Sequence, residues 1–170
     1  MKTIDGIDVE ELERRMRPGG WSQEGFLTSE QSLVQVLADD QVSIQKLGVS
    51  KQQISGTLER LLEKGARSNR FKPENVGHFK VQIIHSRKMR TCPWAPHQFE
   101  WCHIGQGVKY LTTEDFEVTN TRIRESLHGT SLCVHLIRDH GFFGGRNTAY
   151  RIDPEKAVRV LELGSGNNSN

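Results

Sequence analysis

Apolar residues recur at helical spacing through the first 66 positions and are interrupted by turn residues. Asp8 precedes a short amphipathic stretch over residues 10–17, so a first helix capped by that carboxylate is expected there. Apolar positions near residues 30–38 predict a second helix, and residues 39–48 predict a third that a glycine closes. The pattern therefore indicates a helical N-terminal region of three or four helices.

The longest helix is predicted to follow Ser50, a good N-cap, and to end at Gly65. Four apolar residues fall on one face of it: Ile54, Leu58, Leu61 and Leu62. Together with the preceding helix it resembles a helix-turn-helix unit, because Gly48 stands where two helices would meet at a steep angle. Its first turn would present Lys51 and Gln52 to the base edges of DNA. A purely structural helical hairpin gives the same pattern.

The pattern changes after residues 67–77, which have the composition of a loop. Alternating apolar and polar positions then predict three strands, at residues 78–87, 115–123 and 149–152. Two helices are predicted as well, over residues 132–140 and after Pro154, which suits the first turn of a helix.

The fold class expected from this order is α+β. Its parts are a helical region over residues 1–66, a loop at 67–77, a small mixed unit at 78–163 with about three strands and two helices, and a disordered tail at 164–170. The two folded parts are expected to share one core, since about 65 residues of helix bury too little apolar surface alone.

The cysteines and most of the histidines lie in the second half of the chain. Four of them form a candidate zinc set: Cys92, Cys102, His135 and His140. Thiolate and imidazole are the ligands that Zn²⁺ prefers, and four protein ligands would make the site structural. The histidines are five positions apart and would diverge by about 140° on a regular helix, unless the helix tightens or ends at the second one. Aromatic residues flank both segments, which favours their packing together.

Other interpretations of this cluster remain open. In one of them no metal is bound, the cysteines are small buried residues, and the histidines are hydrogen-bonded groups on a half-buried helix. His97 and His103 are substitute ligands close to the second cysteine.

The net charge of +2 hides a basic stretch, since residues 67–90 hold seven basic residues and one acidic residue. Such a stretch attracts phosphate groups. The candidate nucleic-acid contacts are Lys80, Arg87, Lys88 and Arg90, with Lys51 and Gln52 of the helical hairpin. The alternative is a solvated linker and strand surface.

The expected function is a non-enzymatic binding protein with structural zinc as the candidate cofactor. Its partner is unknown, with nucleic acid or another protein as candidates. No window is apolar enough to span a membrane and the N-terminus is too acidic for a secretory signal, so a cytoplasmic protein without a membrane partner is expected. The sequence contains no GxSxG, HExxH or P-loop pattern, which disfavours an enzyme. The alternatives are a nucleic-acid-binding regulator and a hydrolase or redox enzyme that uses the Cys/His cluster.

The C-terminal stretch HLIRDHGFFGGRNTAYRIDPEKAVRVLEL resembles a family of uncharacterised small bacterial proteins with the pattern HLIxxHGFFxG followed by YRxDP. The chain is also similar to that family in a Cys-Pro-aromatic unit from Cys92 to Trp94, and in a helical hairpin from Leu47 to Ile54. The resemblance covers most of residues 35–163 and implies one intact family unit. It implies no activity.

Overall fold

The computed structural model describes residues 2–66, 72–95 and 111–164. Its helices are α1 (Val9–Met16), α2 (Leu33–Lys46), α3 (Lys51–Ala66), α4 (Ser131–His140) and α5 (Pro154–Val160). Its strands are β1 (Thr3–Ile4), β2 (Ile7–Asp8), β3 (Glu74–Val76), β4 (Phe79–Arg90), β5 (Leu111–Asn120) and β6 (Glu125–Thr130). Strands β1 and β2 form a small antiparallel hairpin, and the other four form an antiparallel sheet in the order β3-β4-β5-β6. The expected mixture of helices and strands is confirmed.

The chain begins with a hairpin that the sequence reading did not predict. Asp5 and Gly6 join its two strands, and both have positive φ angles, of 52° and 80°. Two such residues in a two-residue loop are the signature of a type I′ turn. Asp8 then caps α1 by accepting a hydrogen bond from the backbone N–H of Glu11 at 3.1 Å, as expected.

Helix α2 replaces the two short helices expected near residues 30–38 and 39–48, so that prediction is wrong. No glycine or proline interrupts the segment, and the polar residues at its middle are accommodated without a break. Gly48, with a φ of 68°, lies between α2 and α3. Ser50 caps α3, because its side chain accepts from the N–H of Gln53 at 3.1 Å while the Gln53 side chain accepts from the N–H of Ser50 at 2.8 Å.

The main sheet differs from the expected strands at both of its edges, because β3 lies within residues 67–77, which were expected to form a loop, and β6 was not expected. Residues 149–152 form no strand, and β6 pairs with β5 instead. Tyr150 explains the difference, because its ring stacks on Phe26 at 4.2 Å and its hydroxyl is hydrogen-bonded to Ser22 at 2.8 Å. These contacts hold the segment against the N-terminal half of the chain rather than against a sheet edge.

Helices α3 and α4 pack against each other and against the sheet. Gly65 permits the close approach of α3 to β4, because a Cβ atom there would lie 2.6 Å from a methyl group of Val81. Buried apolar side chains from both halves of the chain form one cluster, which includes Leu12 and Leu136. In the part of the chain that the structure describes, no helix is long and apolar enough to cross a membrane.

Candidate metal centre

Three of the four proposed zinc ligands meet in the interior. The Sγ atom of Cys92 lies 3.4 Å from Nε2 of His135 and 3.5 Å from Nε2 of His140. The ligand atoms of all three residues lie within 4.8 Å of one another, and all three residues are buried. The fourth proposed ligand, Cys102, lies outside the described residues, as do His97 and His103.

The end of α4 resolves the unfavourable spacing of the histidines. Helix α4 begins after Thr130, whose hydroxyl caps Cys133, and it ends at His140. Gly141 follows with a φ of 65°, a left-handed conformation that terminates the helix. His140 therefore occupies the last position of the helix, and its ring centroid lies 5.3 Å from that of His135. The expected helix end at His140 is confirmed.

The loop after β4 holds Cys92 in place. Two of its carbonyl oxygens, those of Pro93 and Ala95, accept hydrogen bonds from Nη1 of Arg15 in α1 at 2.9 and 3.0 Å. Trp94 is fully buried and stacks on the ring of His140, with centroids 4.0 Å apart and planes at 7°. The stacking brings the cysteine loop and the end of α4 together, as the aromatic residues predicted.

A carboxylate orients His135 from the same helix. Nδ1 of His135 lies 2.8 Å from Oδ2 of Asp139, one helical turn further on. Arg138 donates to both oxygens of Asp139, at 2.9 and 3.1 Å, and also to Glu59 of α3. Burial opposes ionisation of Asp139, but the hydrogen bonds from Arg138 and the charges of His135 and Arg138 outweigh it and hold the pKa of Asp139 below its usual range.

A second carboxylate orients His140 from the other end of the chain. Nδ1 of His140 lies 3.1 Å from Oδ2 of Asp5, in the turn of the β1–β2 hairpin. An ionised carboxylate only accepts hydrogen bonds, so a proton on Nδ1 of each histidine completes these two contacts. In the neutral form of each ring the Nε2 lone pair is then available to a metal, and both Nε2 atoms lie next to Cys92. A carboxylate behind each ligating imidazole is a recurrent feature of metal sites, because it fixes the ring and raises its basicity.

Cys133 shows the contrasting environment of a structural cysteine. Its thiol receives a hydrogen bond from Thr130 at 3.3 Å and donates to the carbonyl oxygen of Tyr150 at 3.4 Å. Burial raises the pKa of this thiol, although the hydrogen bonds from Thr130 and the charge of Arg90 act in the opposite direction. Cys133 therefore stays protonated and belongs to the core.

The proposed nucleic-acid residues differ in their exposure to solvent. Gln52 and Lys80 are exposed, and Lys51 is half-buried. Arg87 and Lys88 are part of β4, but their side chains lie outside the description. Arg90 is only 8% exposed, and its guanidinium donates a hydrogen bond to Asp115 at 2.8 Å. Burial of that guanidinium removes it from any surface that a phosphate group reaches.

Three residues that build the site carry no sequence signal for it: Asp5, Arg15 and Glu59. Each is more than 70 positions from its partner in the chain. Asp139 differs, because a carboxylate four residues after a histidine on a predicted helix is expected to reach it.

No protein-family model, no curated protein and no solved structure matches the chain. The chemistry of the donor atoms and their geometry are therefore the basis for inferring function.

Proposed function

We propose that the protein binds one Zn²⁺ through Cys92, His135 and His140 and that the metal is structural. The observation that carries the proposal is the convergence of one thiol and two imidazole nitrogens, from two distant segments, within 4.8 Å. The thiol of Cys92 can donate its hydrogen to only one of the two Nε2 atoms at a time, whereas a metal ion would bind the sulfur and both nitrogens together.

The distances suit zinc. With Zn–S of about 2.3 Å and Zn–N of about 2.0–2.1 Å, a tetrahedral site places sulfur and nitrogen about 3.5 Å apart. The two separations from Cys92, 3.4 and 3.5 Å, match this edge. A mixed set of thiolate and imidazole also disfavours Mg²⁺ and Ca²⁺, which select oxygen ligands.

Burial supports a structural role over catalysis. Cys92, His135 and Asp139 are in the order of a nucleophile, a base and its orienting carboxylate, which is the arrangement of a thiol hydrolase. Cys92 is 0% exposed, however, and a nucleophile needs access to its substrate. We propose Cys102 as the fourth ligand, which would close the coordination sphere. The metal would then join the loop after β4 to the end of α4.

Cobalt substitution tests the ligand set. Co²⁺ occupies zinc sites, and a bound thiolate adds a sulfur-to-metal charge-transfer band to its spectrum. We expect this band in the wild-type protein and in Cys133→Ser, its weakening in Cys92→Ser, and its complete loss in Cys92→Ser/Cys102→Ser, because each of these two cysteines would contribute one thiolate. Weakening of the band without its loss in Cys102→Ser would support the fourth ligand, and an unchanged band would remove Cys102 from the set. A wild-type spectrum without any charge-transfer band would contradict the proposal.

A second candidate function is nucleic-acid binding through α2 and α3. It is favoured by the positive φ of Gly48 between the two helices and by the exposure of Gln52 in the first turn of α3. Burial of Arg90 weighs against it. Fluorescence anisotropy with duplex DNA over a range of salt concentrations tests it, because phosphate contacts give a steep salt dependence. Binding that falls in Gln52→Ala and Lys80→Ala would support this function, and no binding at low salt would exclude it.

A further inference from the structure

The N-terminal hairpin contributes a single charged group to the candidate metal centre. Asp5 lies in its turn, and Oδ2 of Asp5 is 3.1 Å from Nδ1 of His140, which is 8% exposed. The two strands have two residues each, and a hairpin of that size is marginal in water without further contacts. Partial burial of Ile4 and Ile7 against the core and the contact with His140 are therefore important in holding it down.

The two orienting carboxylates differ in how they are held. Asp139 lies on the same helix as His135 and is gripped by Arg138, so its geometry is set once α4 has formed. Asp5 reaches His140 from 135 positions away, and its position depends on the hairpin being closed against the protein. The site therefore has one local orienting group and one that a separate element delivers.

We propose that Asp5 is a positioning residue for the metal and that Zn²⁺ binding and closure of the N-terminal hairpin are coupled, an inference that rests on the proposed function. With the hairpin closed, the Asp5 carboxylate accepts from Nδ1–H of His140, fixes the tautomer with Nε2 free for the metal, and makes that nitrogen a stronger ligand. With the hairpin open, His140 loses this support. The coupling is reciprocal, because a closed hairpin that strengthens metal binding is itself favoured by the metal to the same extent.

The turn allows variants that keep the hairpin while changing its contact. Glycine and asparagine both suit the positive φ of 52° at position 5, and Asn-Gly and Gly-Gly are favoured type I′ sequences. Asp5→Gly therefore removes the carboxylate, and Asp5→Asn keeps an acceptor oxygen without the charge. Asp153→Asn is the matched control, because it makes the same charge change at the N-cap of α5, where asparagine caps equally well.

The first readout is Zn²⁺ affinity, measured by competition with a chromophoric chelator. Loss of an orienting carboxylate weakens metal affinity by about 10–100-fold. We expect a loss of that size in Asp5→Gly, a smaller loss in Asp5→Asn, and the wild-type affinity in Asp153→Asn. In the metal-free state Asp5→Asn should melt at the wild-type temperature, which separates orientation of the ligand from general destabilisation. Equal affinity in all four proteins would overturn the inference.

The second readout is hydrogen exchange of the Val9 amide, which donates to the carbonyl oxygen of Lys2 at 3.0 Å and closes the hairpin. Adding Zn²⁺ should slow this exchange in the wild-type protein and leave it unchanged in Asp5→Gly. Exchange that is insensitive to Zn²⁺ in a wild-type protein that binds the metal would refute the coupling. A wild-type protein that binds no Zn²⁺ would instead refute the proposed function, so the two failures are distinguishable.

Discussion

A buried ion pair joins the N-terminal helices to the C-terminal segment. Nη1 and Nη2 of Arg151 lie 2.6 and 2.8 Å from the two oxygens of Asp40, and Nη1 also donates to the carbonyl oxygen of Gly144 at 2.9 Å. Asp40 is 2% exposed, and the Arg151 side chain is 14% exposed. Removing the carboxylate in Asp40→Ala leaves the nearly buried guanidinium with only the exposed Asp153, at 3.6 Å, as an acidic partner, and breaking a buried pair costs about 3–5 kcal/mol.

The neighbouring residue supplies an internal control. Asp39 is also on α2 and pairs with Arg146, but at 3.4 Å and with side chains that are 38% and 61% exposed. A solvent-exposed pair of this kind contributes about 0–1 kcal/mol. Asp39→Ala makes the same change of charge and side chain one position away. We therefore expect Asp40→Ala to lose at least about 2 kcal/mol more than Asp39→Ala.

Denaturant unfolding, followed by far-ultraviolet circular dichroism and by tryptophan fluorescence, measures both losses. The midpoint should fall strongly in Asp40→Ala with an unchanged slope, and the two signals should coincide if both halves of the chain share one core. The double variant Asp40→Ala/Arg151→Ala should lose less than the sum of the single variants, because the second change removes the unpaired charge. Equal losses in Asp40→Ala and Asp39→Ala would refute the claim that burial decides the strength of the pair.

Two glycines of α3 and one glutamate of α1 give further tests. A Cβ atom at Gly56 meets no atom within 4 Å, so Gly56→Ala should raise the free energy of unfolding by about 1 kcal/mol. Gly65→Ala should lower the free energy of unfolding by about 1–3 kcal/mol, because its Cβ would lie 2.6 Å from Val81. If denaturant titrations changed the free energy of unfolding in the same direction in both glycine variants, this reasoning would be contradicted. The pKa of Glu11 is lowered from 4.5 to about 2, and the largest cause is the hydrogen bond from Arg14. The wild-type protein should therefore be more stable than Glu11→Gln above pH 4.5, and this difference in stability should disappear as the pH falls towards 2. A difference in melting temperature that does not depend on pH would disprove this.

Local chemistry explains why most helices were predictable from the sequence. Asp8, Ser50 and Pro154 each act at or beside the N-terminus of a helix, within three positions of the backbone groups that they affect. Gly141 likewise ends α4 through its own conformation. Signals of this kind do not depend on the rest of the fold.

Long-range packing explains the errors. The segment containing Tyr150 alternates like a strand, but its ring stacks on Phe26, 124 positions earlier, and no local pattern reports that contact. The sequence pattern predicts two helices that meet at Asp39, whereas α2 continues through this position and Asp40 is buried against Arg151. In both places a distant partner overrides the local preference.

The candidate metal centre was predictable in its donors and not in its support. Cys92, His135 and His140 are conspicuous by their chemistry, and the structure brings them together although the histidines are five positions apart. Asp5 and Arg15 are ordinary surface residues in the sequence, and only the folded chain places them beside His140 and the cysteine loop. The types of residue in a sequence indicate which side chains can bind a metal, whereas the residues that orient those side chains depend on how the chain folds.

Elemental analysis of untagged protein, purified without chelators, tests the central claim most directly. We expect about one Zn²⁺ per chain in the wild-type protein and in Cys133→Ser, whose altered thiol belongs to the core. In Cys92→Ser we expect the metal to be lost and the melting temperature to fall, because metal binding stabilises the folded state. Wild-type protein without metal, or a Cys92→Ser variant that retains it, would contradict the zinc site formed by Cys92, His135 and His140.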